Sequence, residues 1–227
     1  MPSVRYFLIF DLNGLLCSKP RNKDDKTLLR SGARELLDWL YGKADVLFWT
    51  STRKHKALQM VNALMQECRR FKLGRLDIPV DDYGFFYEDH CTVSKHRDNP
   101  DQPILMKDLT LRVFKKIPNA TLRNVLLIDD SPDKNCPNYW SQAIHPPTFR
   151  PDVQFDDNYL LRTLFDWLQK LLASNMDVRK FVEKNPLPDG KSQLRKSDSR
   201  YVKLMASYNR RFHPADVDRA PEFQPKF

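Results

Sequence analysis

The chain has 227 residues, of which 41% are hydrophobic, 11% aromatic and 30% charged. This composition can form a packed core and excludes a wholly disordered protein, and the length fits one domain with a tail better than a multidomain protein. Asp11 interrupts the most apolar N-terminal stretch, so no stretch reaches the roughly 18 apolar residues of a membrane span. We therefore expect neither a membrane span nor a classical secretory signal.

The balance of charge is basic, with 38 Lys and Arg against 29 Asp and Glu and a net charge of +9. Such a charge favours an acidic partner, namely nucleic acid, a phosphoprotein or an anionic membrane surface, although scattered lysines also serve solubility alone. The four cysteines lack the Cys-x-x-Cys spacing of a zinc ribbon. We expect reduced thiols and an intracellular protein, with nucleus, cytoplasm and mitochondria all compatible.

Short apolar runs alternate with amphipathic segments along the chain. The runs at residues 4–10, 44–49 and 124–128, with a short last one at 143–144, have the pattern of buried parallel strands. Helical spacing of apolar residues predicts helices from residue 31 to the stop at Gly42, and over 57–71, 107–116 and 158–172. The alternation predicts an α/β fold, a doubly wound parallel sheet with helices on both faces.

Two stretches depart from this alternation. Residues 77–103 lack helical periodicity and are predicted to form a small insertion between the second strand and Lys107. Beyond residue 186 the sequence becomes polar and basic. We therefore expect one domain over residues 1–185 and a basic C-terminal extension over 186–227.

Polar side chains follow each of the three main predicted strands. They are Asp11 and Asn13, then Thr50 and Ser51, then Asp129 and Asp130, with Lys107 before the last strand. Parallel strands open a crevice at their carboxyl ends, so these groups should converge there. Carboxylate oxygens are ligands that Mg²⁺ prefers, and a hydroxyl and an ammonium can bind phosphate oxygens. One of the carboxylates can also attack phosphorus as a nucleophile. The pattern predicts a magnesium-dependent phosphoryl site.

In this order the motifs resemble those of the haloacid dehalogenase superfamily. The similar branch contains the carboxyl-terminal-domain phosphatases and the related mitochondrial inner-membrane translocase subunit. The family's Asp-x-Asp motif corresponds to residues 11–15, its Thr or Ser to Thr50, its lysine to Lys107 and its acidic pair with Ser-Pro to residues 129–132. The resemblance spans about residues 4–172 and is strongest to the plant and protist members of this branch that carry Asp-Leu-Asn-Gly.

The resemblance implies a role for each matching residue. Asp11 would be the nucleophile that forms an aspartyl-phosphate, and Thr50 and Lys107 would hold the phosphoryl oxygens. Mg²⁺ would be bound by Asp11, the backbone of Asn13, Asp129 and Asp130. The remaining expected substrate contacts are Ser51 and, in the insertion, Glu88, Asp89 and His90.

Asn13 is the main departure from the family, which has an aspartic acid there as general acid and base. Asparagine keeps the backbone ligand but cannot transfer the proton, a role worth about 10²–10⁴-fold in rate. Two hypotheses for the function follow from this departure. One is a phosphoprotein (Ser/Thr) phosphatase, weakened or using Glu88, Asp89 or His90 as a replacement acid. The other is a pseudophosphatase that binds a phosphoprotein or docks in a protein complex.

The basic extension supports a further alternative, binding of nucleic acid. Its Arg and Lys residues are interleaved with Tyr201, Tyr208 and Phe212, as in proteins that stack bases on aromatic rings. The spacing of Tyr201, Leu204 and Tyr208 also fits a short helix packed on the domain, which would use the aromatic side chains for packing.

Overall fold

The fold is built on four short parallel strands. The computed structural model describes residues 4–20, 26–73, 85–94, 104–152 and 158–209. The strands are β1 (Phe7–Phe10), β2 (Asp45–Phe48), β5 (Val125–Ile128) and β6 (Ala143–Ile144), arranged in the order β2-β1-β5-β6. Phe10 at the end of β1 lies opposite Phe48 on one side and Ile128 on the other. The predicted parallel α/β sheet is confirmed.

Alternating side chains of β1 supply two separate cores. Leu8 and Phe10 face one side of the sheet and Phe7 and Ile9 the other, as the period of two in a strand requires. The larger core also contains side chains of the four helices α1 (Ala33–Leu40), α2 (Lys54–Glu67), α3 (Phe165–Ser174) and α4 (Val178–Lys184). The smaller core is closed by a π-helical turn, Thr110–Phe114.

Three predicted helices differ in their bounds, two of them for identifiable reasons. The segment predicted over 158–172 forms a π-helical turn, Leu160–Leu164, followed by α3. Helix α2 ends at Glu67 rather than residue 71, because the carboxylate of Asp38 accepts the backbone N–H groups of Arg69, Arg70 and Phe71. The helix predicted over 107–116 is the shorter turn Thr110–Phe114, since Asp108 accepts the N–H groups of Thr110 and Leu111 at its start. Side-chain carboxylates thus set both boundaries.

The described part of the predicted insertion contains little regular structure. A 3₁₀ turn, Glu88–His90, leads into β3 (Thr92–Ser94), which pairs in antiparallel fashion with β4 (Ile104–Met106). A bridge between Trp49 and Phe86 joins this region to the end of β2. Residues 74–84 and 95–103 lie outside the described ranges. The hairpin therefore leads directly to Lys107, which follows β4.

A C-terminal helix, α5 (Ser199–Asn209), packs on the hairpin and on a nearby turn. Leu204 and Tyr208 are buried against Met106 and Cys136, and the Ser94 hydroxyl donates to the carbonyl of Leu204 at 3.1 Å. The packed-helix interpretation of the extension therefore accounts for Tyr208. Arg210, Arg211 and Phe212, which enter the nucleic-acid alternative, lie outside the described residues.

Tyr208 also makes a polar contact that we expect to stabilise the fold. Its hydroxyl donates to Asp108, beside Lys107, and both burial and the Asp108 charge raise the pKa of Tyr208. Tyr208→Phe removes the donor to Asp108 Oδ2, while Oδ1 keeps the N–H groups of Thr110 and Leu111, so the free energy of unfolding should fall by about 1–3 kcal/mol in urea titrations. The control Tyr201→Phe removes a hydroxyl from the same helix and should cost less than about 0.5 kcal/mol. Equal losses would contradict the prediction.

The thiols and the helices of the structure bear on the expected reduced cysteines and on the expected absence of a membrane span. All four cysteines, Cys17, Cys68, Cys91 and Cys136, are buried free thiols. Burial raises the pKa of Cys68 and of Cys91 to about 11. Across the described ranges, every helix is too short or too polar to cross a lipid bilayer.

Candidate active site

Three polar strand ends meet at one edge of the sheet, as the sequence predicts. Asp11 follows β1, Thr50 lies just beyond β2 and Asp129 follows β5, and all three side chains are fully buried. The backbone N–H of Asp11 donates to the carbonyl of Ile128 at 2.8 Å, which ties the ends of β1 and β5 together. Parallel pairing thus places both carboxylates in one pocket.

Lys107 joins these two carboxylates from the far side of the pocket. Its Nζ lies 3.1 Å from Asp11 Oδ1 and 2.5 Å from Asp129 Oδ2, and its side chain is wholly buried. The backbone N–H of Lys107 donates to the carbonyl of Lys134 at 2.8 Å. The predicted Lys107 therefore reaches the predicted carboxylates, held by a backbone contact to a second lysine.

That second lysine, Lys134, was missed by the sequence analysis. It lies in a 3₁₀ turn, Pro132–Asn135, and its Nζ is 2.8 Å from Asp11 Oδ2 and 3.3 Å from Asp129 Oδ1. A lysine in a turn is normally solvated, so its type alone carries no signal. Its position two residues after the Asp129–Pro132 motif, in a turn that begins with proline, is the signal that could have found it.

Asp11, Lys107, Asp129 and Lys134 form a ring of alternating charge. Burial opposes ionisation of Asp129, but the two lysines outweigh it and hold the pKa of that carboxyl below its usual range. Burial likewise opposes the charge on Lys134, yet Asp11, Asp129 and Asp130 raise its pKa. Each group of the ring therefore lies beside two partners of opposite sign.

Asp130 lies beside this ring in a different environment. Its Oδ2 accepts a hydrogen bond from the Thr148 hydroxyl at 2.6 Å, and burial followed by the charge of Asp129 raises its pKa. Gly14 permits this approach: its φ is +85°, and a Cβ there would lie 2.9 Å from Asp130 Oδ2. The glycine of the Asp-Leu-Asn-Gly motif thus makes room for the third carboxylate.

The carboxylates of Asp11, Asp129 and Asp130 are close enough to share one cation. Each can offer an oxygen within 4.8 Å of the oxygens of the other two, and all three residues are buried. Three carboxylate oxygens are the donors that a hard divalent cation such as Mg²⁺ prefers. The donor set fits the magnesium site implied by the sequence.

Asn13 and Ser51 lie on an open groove beside the ring. The groove is also lined by Asp130, Lys134 and Thr148. The side-chain oxygen of Asn13 accepts the backbone N–H of Lys19 at 2.7 Å, which closes the loop after β1. Asn13 therefore has a structural contact of its own at the position where the resemblance expects an acid.

Thr50 is held in place by one contact within its own loop and one to the insertion. Its Oγ1 accepts the backbone N–H of Thr52 at 3.3 Å, and its own N–H donates to the carbonyl of Phe86 at 3.0 Å. The second contact ties the end of β2 to the start of the insertion. Both contacts fix the backbone at the expected phosphate-binding hydroxyl.

The turn Glu88–His90 makes contacts of another kind. His90 is buried, accepts the N–H of Tyr87 on Nδ1 at 3.1 Å and packs edge-on against that ring. Glu88 lies 3.9 Å from Arg53, and the Asp89 carbonyl faces Arg112. Among the described residues, the lining of the groove does not include this turn. The backbone N–H of Glu88 also donates to the carbonyl of Thr52 at 3.2 Å, so the turn is attached to the segment that follows β2, and its three residues remain candidates for substrate contact.

Comparison with known structures aligned this chain with structures of other proteins. Two structures of the RNA polymerase II CTD phosphatase Fcp1 align with this chain, one of them a fission yeast variant bound to beryllium fluoride. They cover 90% and 91% of this chain at 13% and 14% identity, each with a TM-score of 0.44. The alignments cover 62% of each Fcp1 chain, so this chain spans less than two thirds of their length.

Comparison with curated proteins gave no significant match. A family model for NLI interacting factor-like phosphatases matches residues 6–179. That range includes all four motifs and the charged ring, and it covers more than half of the chain. By this match the chain belongs to the NLI interacting factor-like phosphatase family.

Proposed function

We propose that this protein is a Mg²⁺-dependent phosphatase of phosphoproteins that acts through an aspartyl-phosphate on Asp11 and is slowed by Asn13. The observation that carries the proposal is the buried Asp11 carboxylate, held 3.1 Å from Lys107 and beside Asp129 and Asp130. Membership of a phosphatase family supports the same reaction class.

In the proposed reaction an oxygen of Asp11 attacks phosphorus. The new bond to Asp11 forms while the bond to the leaving oxygen breaks, and that oxygen takes its proton from solvent because Asn13 cannot donate one. Thr50 and Lys107 bind the phosphoryl oxygens. Mg²⁺, held by Asp11, Asp129, Asp130 and the backbone of Asn13, would supply positive charge to the transferring group. Water then hydrolyses the phosphorylated Asp11.

A pseudophosphatase is the second candidate, and Asn13 is the observation that favours it. Its amide has no titratable proton, and its oxygen is already engaged by the N–H of Lys19. Asn13 can therefore neither protonate the leaving oxygen nor take a proton from the attacking water, the two steps expected of the family's aspartic acid. Such a protein would keep the pocket for binding a phosphoprotein or for assembly into a complex, and would turn over slowly if at all.

Removing the nucleophile tests the proposal. Asp11→Asn should lower Mg²⁺-dependent hydrolysis of an aryl phosphate by at least about 10³-fold and abolish the phosphorylated protein seen by mass spectrometry after acid quench. The control is Asp45→Asn, which removes a carboxylate at the opposite end of the sheet, where Asp45 pairs with Arg5. Equal activity in the Asp11 variant and wild type would overturn the proposed nucleophile.

A further inference from the structure

The carboxylate oxygens of Asp11 and Asp129 already have donors. Asp11 Oδ1 accepts the N–H of Leu12 at 2.8 Å and contacts Lys107, while Oδ2 contacts Lys134 at 2.8 Å. Asp129 Oδ1 accepts the N–H of Ser131 at 2.8 Å and also contacts Lys134, while Oδ2 contacts Lys107. Every oxygen that these two carboxylates could offer to a shared cation is therefore already in contact with an ammonium.

The charges of the ring also balance. The carboxylates of Asp11 and Asp129 carry two negative charges, and the ammonium groups of Lys107 and Lys134 carry two positive ones. With Lys107 alone, the same pair would keep one unbalanced negative charge next to Asp130. Charges in a buried pocket interact strongly, so Lys134 reduces the attraction of the site for a divalent cation.

Lys134 differs from Lys107 in having a route out of the pocket. Its side chain is 17% exposed and lines the open groove, whereas the Lys107 side chain is 0% exposed. The backbone of Lys134 is held by the N–H of Lys107, and its neighbour Asp133 pairs with Arg200 on α5. The flexible side chain can therefore leave the carboxylates while its turn stays in place.

We infer that the Lys134 ammonium is a built-in competitor of the divalent cation, bridging Asp11 and Asp129 until Mg²⁺ displaces it toward the groove. This inference rests on the proposed function, since it concerns the same three carboxylates. It assigns Lys134 the role of setting the magnesium concentration at which the site is loaded. A phosphatase with this lysine works only where free Mg²⁺ is high enough to displace it.

Binding of Mn²⁺, a paramagnetic substitute for Mg²⁺, tests the inference without any turnover. The free ion is followed by electron paramagnetic resonance during titration of the full chain, and Mg²⁺ is used to displace it. Lys134→Met should bind Mn²⁺ at least about tenfold more tightly than wild type, because the carboxylates lose their internal cation. Lys134→Gln, whose amide can still donate a hydrogen bond, is measured in parallel as a second variant.

Lys191→Met is the matched control for charge. Lys191 lies 3.8 Å from Asp130 Oδ2 and donates to the Asp130 carbonyl at 2.6 Å, without bridging Asp11 and Asp129. Its loss should change the affinity for Mn²⁺ less than about threefold. An equal gain in Mn²⁺ affinity in the Lys191 and Lys134 variants would show that any nearby positive charge has the same effect, and it would overturn the inference.

Thermal unfolding supplies an independent readout. In EDTA, both Lys134 variants should unfold at a lower temperature than wild type, and Mg²⁺ should raise their melting temperature more than it raises that of wild type. If wild type and both variants bind Mn²⁺ equally, Lys134 is not a competitor and the proposed phosphatase stands. If none of them binds the ion, the metal-dependent function fails and the inference with it.

Discussion

Replacing Asn13 with Asp is expected to raise the rate of aryl phosphate hydrolysis by about 10²–10⁴-fold, the usual value of general acid–base catalysis. The new carboxyl can protonate the leaving oxygen and later take a proton from the attacking water. It also keeps an oxygen in place to accept the N–H of Lys19, the 2.7 Å contact that Asn13 makes. The gain should therefore come without loss of the loop after β1.

The measurement compares wild type, Asn13→Asp, and Asn13→Asp combined with Asp11→Asn, all with Mg²⁺. The single variant should be much the fastest, and the double variant should be inactive. A wild type that already turns over, with no gain in Asn13→Asp, would contradict the prediction and show that another acid replaces residue 13. Glu88, Asp89 and His90 would then be tested, although their described contacts lie with Arg53, Arg112 and Tyr87.

Lys107→Met should lower the free energy of unfolding by about 3–5 kcal/mol, the usual cost of removing one partner of a buried ion pair. Asp129 is fully buried, and Lys107 is the cation nearest to it, at 2.5 Å. Without Lys107, the two carboxylates share only Lys134, and one buried negative charge is left unbalanced. Methionine keeps most of the side-chain volume, so the loss measures charge more than packing.

Urea unfolding followed by circular dichroism measures this loss. Lys116→Met is the control, since Lys116 is exposed close to the same π-helical turn, and it should change stability by less than about 0.5 kcal/mol. The size of the loss should depend on magnesium, because a divalent cation should recover part of the stability of the Lys107 variant. A loss below about 1 kcal/mol would mean that Lys134 alone balances both carboxylates.

We could predict from the sequence that Asp11, Thr50 and Asp129 meet, because each residue follows a short, mostly apolar run. Such runs are typical of strands buried on both faces, and parallel strands end at one edge. The position of Lys107 is less predictable from the residues alone, since it follows β4, outside the main sheet. There the ordered motifs of the family supplied the prediction.

Lys134 and the ends of the helices were beyond these arguments. A 3₁₀ turn has no repeating apolar pattern, so the direction of a lysine within it depends on contacts far away in the chain. The end of α2 likewise depends on Asp38, about thirty residues earlier. In both cases a carboxylate far away in the chain determines the local structure. The periodicity of apolar residues is a local pattern and does not predict such a contact.

Helix α5 makes completion of the pocket a late event in synthesis. Through Tyr208 and Arg200 it contacts Asp108 and Asp133, the residues next to the two lysines of the ring. A ribosome adds about 5–20 residues per second, so roughly 4–15 s separate the synthesis of Lys134 from that of Tyr208. During that interval the nascent chain carries every ring residue without the helix that contacts their neighbours, so these contacts can form only after the ring residues have been made.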